Sequence, residues 1–171
     1  MHIIEVSHVP ALDRNDSLVV LCNDALIYYD HENVGIDLSP HKDTPMDSHH
    51  KIEVETGVKV VISPNLVGKV YARSSTYKNY GLLLSNGVGI IDPSYRGEIK
   101  CIFVVHDIYR FYNRFKDGIL PRHTRVAQLV LEPIKGLVGN IYILRDDSVF
   151  ENLANIFPTK RGEGGFGSTG V

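Results

Sequence analysis

The sequence predicts an all-β fold, either a sandwich or a barrel, and three observations support this prediction. Short apolar and β-branched runs recur along the whole chain. Turn-forming clusters, such as residues 63–65, 85–87 and 92–94, separate these runs. The 3.6-residue periodicity of amphipathic helices is scarce. Short strands at regular spacing between turn signals are typical of sandwiches and barrels.

Eight runs are predicted to be strands. They are residues 18–29, 52–54, 58–62, 67–72, 81–84, 99–105, 126–131 and 141–144. One or two helical turns are predicted over residues 76–80, because Ser75 is a suitable N-cap and Gly81 a suitable stop. A second short helix is predicted within residues 149–157.

Composition limits the classes of protein that this chain can be. Its 171 residues, 43% of them hydrophobic, are enough for one core and too few for two ordinary domains. The net charge of −2 gives no basic field for nucleic acid, so no direct nucleic-acid partner is expected. No apolar run approaches the roughly 20 residues that a membrane span needs. We therefore expect a soluble cytoplasmic protein, or one of the host cytoplasm or nucleus if the source is a virus.

The two cysteines, Cys22 and Cys101, both lie in apolar runs. In such positions a small buried thiol is the usual role of cysteine, ahead of a disulfide or a metal ligand. A reducing compartment is consistent with this pattern.

The C-terminal segment differs in composition from the rest. Residues 161–171 hold five glycines, too little side chain to fold alone. Such a segment is either a frayed terminus or an arm that becomes ordered on a nucleotide, because glycine-rich backbone amides and nearby hydroxyls suit phosphate oxygens. We predict a β-core over residues 1–158 and a mobile arm over residues 159–171.

Residues 72–75, Ala-Arg-Ser-Ser, follow a predicted strand and open a predicted helical turn. The first amides of the turn, the hydroxyls of Ser74 and Ser75 and the planar fork of Arg73 would together suit an anion. Taken alone, the same residues could form an ordinary polar turn.

Residues 86–98 are expected to form a hairpin with Asp92 at its tip. The backbone of the preceding residues could pair with a flat polar heterocycle. Asp92 is either a turn former or a general base that holds a water molecule.

Asp37 stands between two apolar residues in a strand-like alternation. It is either an exposed strand carboxylate or a ligand for Mg²⁺, an ion commonly held by one or two carboxylates together with substrate phosphates.

In order along the chain, these segments resemble the five motifs of the trimeric dUTPase family. The corresponding segments are residues 34–38, 72–75, 86–98, 124–129 and 161–170. The third motif, with Gly-Ile-Ile-Asp-Pro-Ser-Tyr-Arg-Gly-Glu, and the fifth are nearly diagnostic by themselves. The match covers most of the chain.

The resemblance implies a distorted β-barrel or jelly-roll subunit that forms a homotrimer with active sites shared between subunits. It implies hydrolysis of dUTP to dUMP and pyrophosphate with Mg²⁺, through attack of water on the α-phosphorus. Asp92 would activate that water, Asp37 would bind Mg²⁺ through the water molecules of the ion, and Tyr95 would lie under the deoxyribose.

The remaining roles carry over in two groups. Uracil would contact Asn86, Gly89, Ile90, Ile91 and Lys100, with Phe166 stacked on it. The phosphates would contact Arg73, Ser74, Ser75, Gln128, Arg161, Gly167, Ser168 and Thr169. The arm would close over the bound nucleotide.

Two alternatives remain from the sequence. Arg-Ser-Ser also occurs in the related dCTP deaminases, which carry a catalytic glutamate ten residues after the aspartate, where this chain has Ile102. The second alternative is a dUTPase-like scaffold with a regulatory protein-binding role. Residues 105–123 and 135–160 are longer than a minimal member needs, and they are either loop decoration or, over residues 109–115, a contact with another subunit or partner.

Overall fold

The structure is a computed structural model that describes residues 3–5, 18–22, 34–134 and 141–144, together with Asn155 and Thr159. Side chains are described for residues 34–134 and for Asn155 and Thr159. The side chain of Cys22, most of the predicted helix at 149–157 and the arm from residue 160 onward lie outside the described residues.

The elements follow one another in a mostly β order. The strands are β1 (Ile3–Glu5), β2 (Leu18–Cys22), β3 (Ile36–Leu38), β4 (Thr44–Pro45), β5 (Lys51–Ile62), β6 (Leu66–Ala72), β7 (Leu82–Leu84), β8 (Val88–Ile91), β9 (Glu98–Val105), β10 (Ile119–Leu120), β11 (Ala127–Pro133) and β12 (Ile141–Leu144). The helices are α1 (Thr76–Tyr80) and α2 (Ile108–Arg114). Neither helix has the length or apolar character to cross a membrane.

Two large sheets enclose one core. The six-stranded sheet has the order β1-β12-β2-β5-β9-β7 and the four-stranded sheet the order β3-β11-β6-β8, while β10 and β4 form a small ribbon. Pairing is antiparallel except that β12 runs parallel to both β1 and β2. The prediction of a mostly β fold is confirmed. The strands form a sandwich of open sheets, and the described part of the chain does not close into a barrel.

The core comes from strict alternation along the strands. β5 and β9 bury every second side chain, as expected where one face of a sheet packs and the other meets water. Phe103 of β9, Leu38 of β3 and Leu129 of β11 are among the fully buried side chains, so both sheets contribute to the same cluster.

The two runs predicted at 52–54 and 58–62 form a single twelve-residue strand, β5. Gly57 lies between them with φ at 68°, and the register with β9 shifts between Glu55 and Lys59. Glycine adopts this left-handed conformation without steric cost, so a bulge forms where the sequence indicates a break. The buried Thr56 hydroxyl donates to the Ile99 carbonyl at 2.7 Å and holds the bulge against β9.

The predicted helical turn at 76–80 is confirmed as α1. Ser75 is its N-cap residue, although the Ser75 side chain makes no capping hydrogen bond. Gly81 ends the helix with φ at 70°. A Cβ at position 81 would lie 2.5 Å from the Asp107 carbonyl oxygen, so glycine is required both for conformation and for space.

The helix α2 was not expected from the sequence. The Asp107 carboxylate caps it by accepting from the Arg110 backbone N–H at 2.9 Å. Phe111 is fully buried and Phe115, just beyond the helix, is nearly so. This part of the 105–123 segment therefore belongs to the core and is not loop decoration.

Candidate active site

Three of the five motifs meet on neighbouring strands of the four-stranded sheet. β11 lies between β3 and β6, with Gln128 opposite Asp37 and Ala127 opposite Ala72. The Val126 N–H donates to the Leu38 carbonyl at 3.1 Å. The first, second and fourth motifs are therefore adjacent in space although they are far apart in the chain.

Hydrogen bonds to one carbonyl fix the second motif against the fourth. The Val126 carbonyl accepts from the Arg73 N–H at 3.2 Å and from the Thr76 hydroxyl at 2.7 Å. Thr76 is fully buried, so the loss of this bond would leave a polar group unpaired inside the protein. The start of α1 is thereby held over the start of β11.

The Asp37 carboxylate is bridged by two guanidinium groups. Arg73 Nε lies 2.7 Å from Oδ1 and Arg125 Nη1 lies 3.1 Å from Oδ2. The Asp37 side chain is 13% exposed, so water screens these contacts only partly. One carboxylate therefore orients two arginines and leaves the group with a net positive charge.

Arg73 and Arg125 also line a polar cavity of about 540 Å³. Its walls carry Arg73, Ser75, Asn79, Tyr80, Arg114, Phe115, Pro121, His123, Thr124 and Arg125. Three guanidinium groups and hydroxyl groups with no carboxylate among the lining residues suit a phosphate chain. Among the residues predicted to bind phosphate, Arg73 and Ser75 line the cavity, whereas Ser74 is exposed beside it.

Gln128, also predicted to bind phosphate, lies beside Asp37 and does not line this cavity. A Cβ at Gly35 would be 2.5 Å from Gln128 Oε1. The first motif therefore needs glycine at this position, because the Gln128 amide rests directly on the backbone there.

The segment expected to be a hairpin divides between the two sheets. β8 pairs with β6, whereas β9 pairs with β5 and β7. Between β8 and β9 lies a cavity of about 200 Å³. It is lined by Val70, Leu84, Ser85, Asn86, Gly89, Ile91, Lys100, Cys101 and Ile102.

Four residues predicted to contact the base line this second cavity: Asn86, Gly89, Ile91 and Lys100. Ile90 does not line it; it pairs with Lys69 of β6 and is 53% exposed. Because β8 and β9 do not pair with each other, backbone N–H and carbonyl groups lie beside apolar side chains in this cavity. A flat heterocycle can bind in such surroundings.

The titratable groups of the second cavity are poorly suited to proton transfer. Lys100 Nζ contacts Glu55 at 2.9 Å and Glu53 at 3.5 Å, and the hydrogen bond to Glu55 raises the pKa of Lys100. Burial raises the pKa of the Cys101 thiol to about 12. Within the described part of the chain no carboxylate or imidazole lines the cavity, and Ile102 occupies the position of the deaminase glutamate.

Asp92 follows β8 directly and is half-buried in a tight turn. Its carbonyl accepts from the Tyr95 N–H at 3.0 Å, and the Tyr95 hydroxyl donates to the Glu98 carbonyl at 2.7 Å. Arg96 Nη1 donates to the Pro93 carbonyl at 2.7 Å and to the Tyr95 carbonyl at 2.8 Å. The turn is thus internally braced, and Asp92 directly follows Ile91, which lines the second cavity.

Thr159, the first residue of the predicted arm, lies at this same turn. Its hydroxyl donates to the Ser94 carbonyl at 2.6 Å. The predicted arm contacts Arg161, Phe166, Gly167, Ser168 and Thr169 lie outside the described residues.

Sequence reasoning did not assign a role to Arg125 or Arg114. Arg125 could have been noticed because it stands within the fourth motif, three residues before Gln128. Nothing in the local sequence indicates that Arg114 reaches the same cavity, because its place depends on the packing of α2.

Comparison with known proteins agrees with the geometry. The dUTPase family model matches residues 24–170. A Clostridium kluyveri protein named deoxyuridine 5'-triphosphate nucleotidohydrolase is 34% identical over 149 residues, 85% of this chain and 90% of the relative. A Candida albicans protein of the same name is 34% identical over 136 residues, 80% of this chain and 74% of the relative.

Solved structures show the same fold. The dUTPase of Streptococcus mutans aligns with a TM-score of 0.54 at 26% identity, over 68% of this chain and 91% of that one. The dUTPase of Staphylococcus bacteriophage 80alpha aligns with a TM-score of 0.57 at 24% identity, over 69% of this chain and 90% of that one.

Proposed function

The chain belongs to the dUTPase family, and from this premise we propose how its residues carry out the reaction. The protein is a dUTP diphosphatase that hydrolyses dUTP to dUMP. The observation that carries the proposal is the pair of cavities: a mostly apolar slot between β8 and β9 for the base, and an arginine-lined cavity at the end of β6 for the phosphates.

Asp92 supplies the general base. A water oxygen attacks the α-phosphorus, the bond from that phosphorus to the oxygen bridging to the β-phosphorus breaks, and pyrophosphate leaves. The carboxylate of Asp92 accepts the proton of the attacking water. Its place at the end of β8, beside the base cavity, supports this role, because the α-phosphate of a nucleotide lies one sugar away from the base.

Arg73 and Ser75 hold the phosphate chain, with Ser74 and Gln128 as further contacts. Charge stabilisation by positioned arginines is well suited to phosphoryl chemistry, which leaves little covalent work for the protein. The Asp37 bridge holds Arg73 and Arg125 in place for this purpose.

We propose that a Mg²⁺ ion is held mainly by the phosphates of the substrate. Both oxygens of Asp37 contact guanidinium groups, and no group of three metal-ligating side chains occurs among the residues that the structure describes. We expect Asp37 to hold water molecules of the ion, as one carboxylate with substrate phosphates commonly does. The bound ion would neutralise charge on the phosphates.

The base cavity selects uracil by the polarity of its hydrogen bonds. The Asn86 side chain and the backbone from residue 87 to 91 would pair with the uracil edge, and cytosine would leave those groups unpaired. Tyr95 would lie under the deoxyribose. Deamination is disfavoured because the described lining offers no acid or base for it.

We propose that the enzyme is a homotrimer with shared sites. No described residue lines both cavities, so one subunit presents the base slot and the phosphate cavity as separate surfaces. On the outer face of the four-stranded sheet, Val88 is 37% and Ile90 53% exposed, opposite Tyr71 and Lys69 in the register. An exposed apolar stripe on a sheet face is a typical subunit interface.

The arm would complete the site. Thr159, the first residue of the predicted arm, lies at the turn that carries Asp92. We propose that Phe166 stacks on uracil and that Arg161, Gly167, Ser168 and Thr169 contact the phosphates, excluding water as a lid does. A cytoplasmic location is proposed, because the substrate is a nucleotide and the Cys101 thiol is free and buried.

The test is a paired assay with Mg²⁺ in which dUTP and dCTP are offered separately and both pyrophosphate and ammonia are followed. We expect pyrophosphate from dUTP and ammonia from neither nucleotide. Ammonia from dCTP would establish the deaminase reading instead. If neither nucleotide gave a product, the hypothesis to test would be a dUTPase-like scaffold that binds a regulatory protein partner.

A further inference from the structure

Arg114, at the C-terminal end of α2, lies outside all five motifs and yet lines the phosphate cavity. It faces the same space as Arg73 and Ser75 of the second motif and Arg125 of the fourth. The cavity therefore has a cationic wall that the motif pattern does not account for.

The end of α2 is firmly placed by its packing. Phe111 is fully buried, and its ring meets that of Phe115 at 5.2 Å between centroids. The Phe115 ring lies 5.4 Å from that of Tyr80, at the end of α1. Arg110 Nη1 also donates to the Lys78 carbonyl at 3.0 Å. This packing holds α2 against α1, so the exposed Arg114 side chain lies beside the cavity that the start of α1 also lines.

The three arginines of the cavity differ in their partners. Arg73 and Arg125 both contact Asp37, which compensates part of their charge. The Arg114 side chain makes no ion pair or hydrogen bond with any residue that the structure describes. Its guanidinium group therefore keeps its full charge for a ligand, and a guanidinium fork matches phosphate oxygens in a bidentate manner.

The position of Arg114 along the substrate follows from which residues line the phosphate cavity. The base occupies the slot between β8 and β9, whose lining has no residue in common with the phosphate cavity. The α-phosphate must reach Asp92, beside that slot. Asp92 does not line the phosphate cavity, so Arg114, within that cavity, is expected to meet the phosphates beyond the α-phosphate.

We propose that Arg114 binds the terminal phosphates and is a specificity-determining residue that favours triphosphate over monophosphate. The proposal rests on the proposed function, since it assigns a substrate contact within that same site. It adds a contact from an element that no motif contains.

The test compares Arg114→Gln with Arg122→Gln. Both changes remove one guanidinium group; Arg122 is exposed, does not line the cavity, and only its backbone N–H bonds to Asp43, at 2.8 Å. Calorimetry measures the Kd of inorganic tripolyphosphate and of dUMP for the full-length protein, and steady-state kinetics measures KM and kcat for dUTP. Circular dichroism and the thermal midpoint establish that each variant is folded.

For Arg114→Gln we expect the Kd of tripolyphosphate and the KM for dUTP to rise about tenfold, because one charge-assisted hydrogen-bonded contact is lost. The Kd of dUMP should stay within about twofold, and Arg114→Lys should recover part of the loss. Arg122→Gln should match the wild type in all these quantities.

Two results would overturn the proposal: wild-type values for Arg114→Gln, or an equal loss for tripolyphosphate and dUMP. The calorimetry also separates this proposal from the proposed function. A wild-type protein that binds tripolyphosphate through Arg114 but hydrolyses no dUTP would disprove the function and keep the anion site. Hydrolysis of dUTP by Arg114→Gln with a wild-type KM would disprove the role of Arg114 and keep the proposed function.

Discussion

Asp37 lies within β3 and Asp92 directly follows β8, and the surroundings of the two carboxylates differ. Asp37 contacts two guanidinium groups through its two oxygens, so it serves as an acceptor that orients charge. Asp92 lies half-buried at a turn whose backbone is braced by Tyr95 and Arg96. We therefore propose that Asp37 holds cationic groups and that Asp92 activates water.

Asp92→Asn should lower kcat for dUTP by about 10²- to 10⁴-fold, the usual contribution of a general base. The amide keeps the shape and hydrogen-bonding capacity of the side chain, so the Kd of a non-hydrolysable dUTP analogue should change by less than about threefold. Steady-state kinetics and calorimetry measure the two quantities. A loss of binding as large as the loss of turnover would contradict the assignment of Asp92 as a base.

Glu55 predicts a dependence of stability on acid pH. Hydrogen bonds from Lys42 and Lys100 lower the pKa of Glu55 from 4.5 to about 2. The folded state therefore favours the ionised carboxylate; this stabilisation is fully present above pH 4.5 and is lost as the pH falls towards about 2. Glu55→Gln should cost about 1 kcal/mol at pH 7, because the pairs are partly exposed, and progressively less below pH 4.5.

Urea unfolding at several pH values measures this difference between Glu55→Gln and the wild type. Glu53→Gln is the matched control, since Glu53 is 57% exposed and contacts Lys100 only at 3.5 Å. It should cost less than Glu55→Gln at pH 7. A cost of Glu55→Gln that stays constant down to pH 3 would show that the carboxylate charge is not what stabilises the fold.

Among the elements, β8 and α2 contribute most to the site by their position. β8 leaves β9 and joins the other sheet, and this separation opens the base cavity. α2 packs two phenylalanines into the core and so carries Arg114 to the phosphate cavity. Both cavities therefore depend on which elements pack or pair with each other, and less on whether an element is a helix or a strand.

Phe111→Ala should destabilise the protein by about 3–5 kcal/mol, because it removes a fully buried ring from the core. Tyr109→Ala, two residues earlier on the same helix and 83% exposed, should change stability by less than about 0.5 kcal/mol. Urea denaturation followed by circular dichroism measures both. Similar small effects at the two positions would mean that α2 is an appendage and not part of the core.

At the scale of the whole molecule, two features are consistent with assembly into an oligomer. The outer face of the four-stranded sheet exposes Val88 and Ile90, and the two cavities open as separate surfaces. A trimer with shared sites would cover the exposed sheet face, and it would bring the base cavity of one subunit next to the phosphate cavity of another.

Ile90→Asp should convert the proposed trimer to monomers, since burying a carboxylate in the contact face is costly even beside Lys69, which lies opposite Ile90 and already pairs with Glu132. Leu83→Asp is the matched control: Leu83 is 42% exposed, but it lies on β7 of the other sheet. Sedimentation velocity measures the mass of each variant. A trimer that survives Ile90→Asp, or a wild-type protein that is monomeric while active, would rule out this face as the interface.

Deletion of residues 161–171 should leave a folded core with an unchanged thermal midpoint and a kcat/KM for dUTP lowered by about tenfold or more. The arm is expected to add contacts only after the nucleotide binds, so the core does not need it. Scanning calorimetry and steady-state kinetics measure the two effects. Full activity in the shortened protein would exclude a closing arm.

The sequence by itself determined the local features of this protein. Alternation and turn residues predicted the strands at 67–72, 99–105 and 126–131 to within a few residues, and Gly81 predicted the end of α1. These features depend on backbone conformations and on near neighbours in the chain. The motif order also indicated the family, because five segments in sequence are a far more specific pattern than any single one.

Only the tertiary structure decided the rest. The bridge between Asp37 and Arg125 joins residues far apart in the chain, and the choice of β6 as the partner of β8 follows from strand pairing and core packing. The same holds for Arg114, whose access to the phosphate cavity depends on where Phe111 is buried. Periodicity reports which face of an element is apolar, but it does not report which element covers that face, and here that choice builds the site.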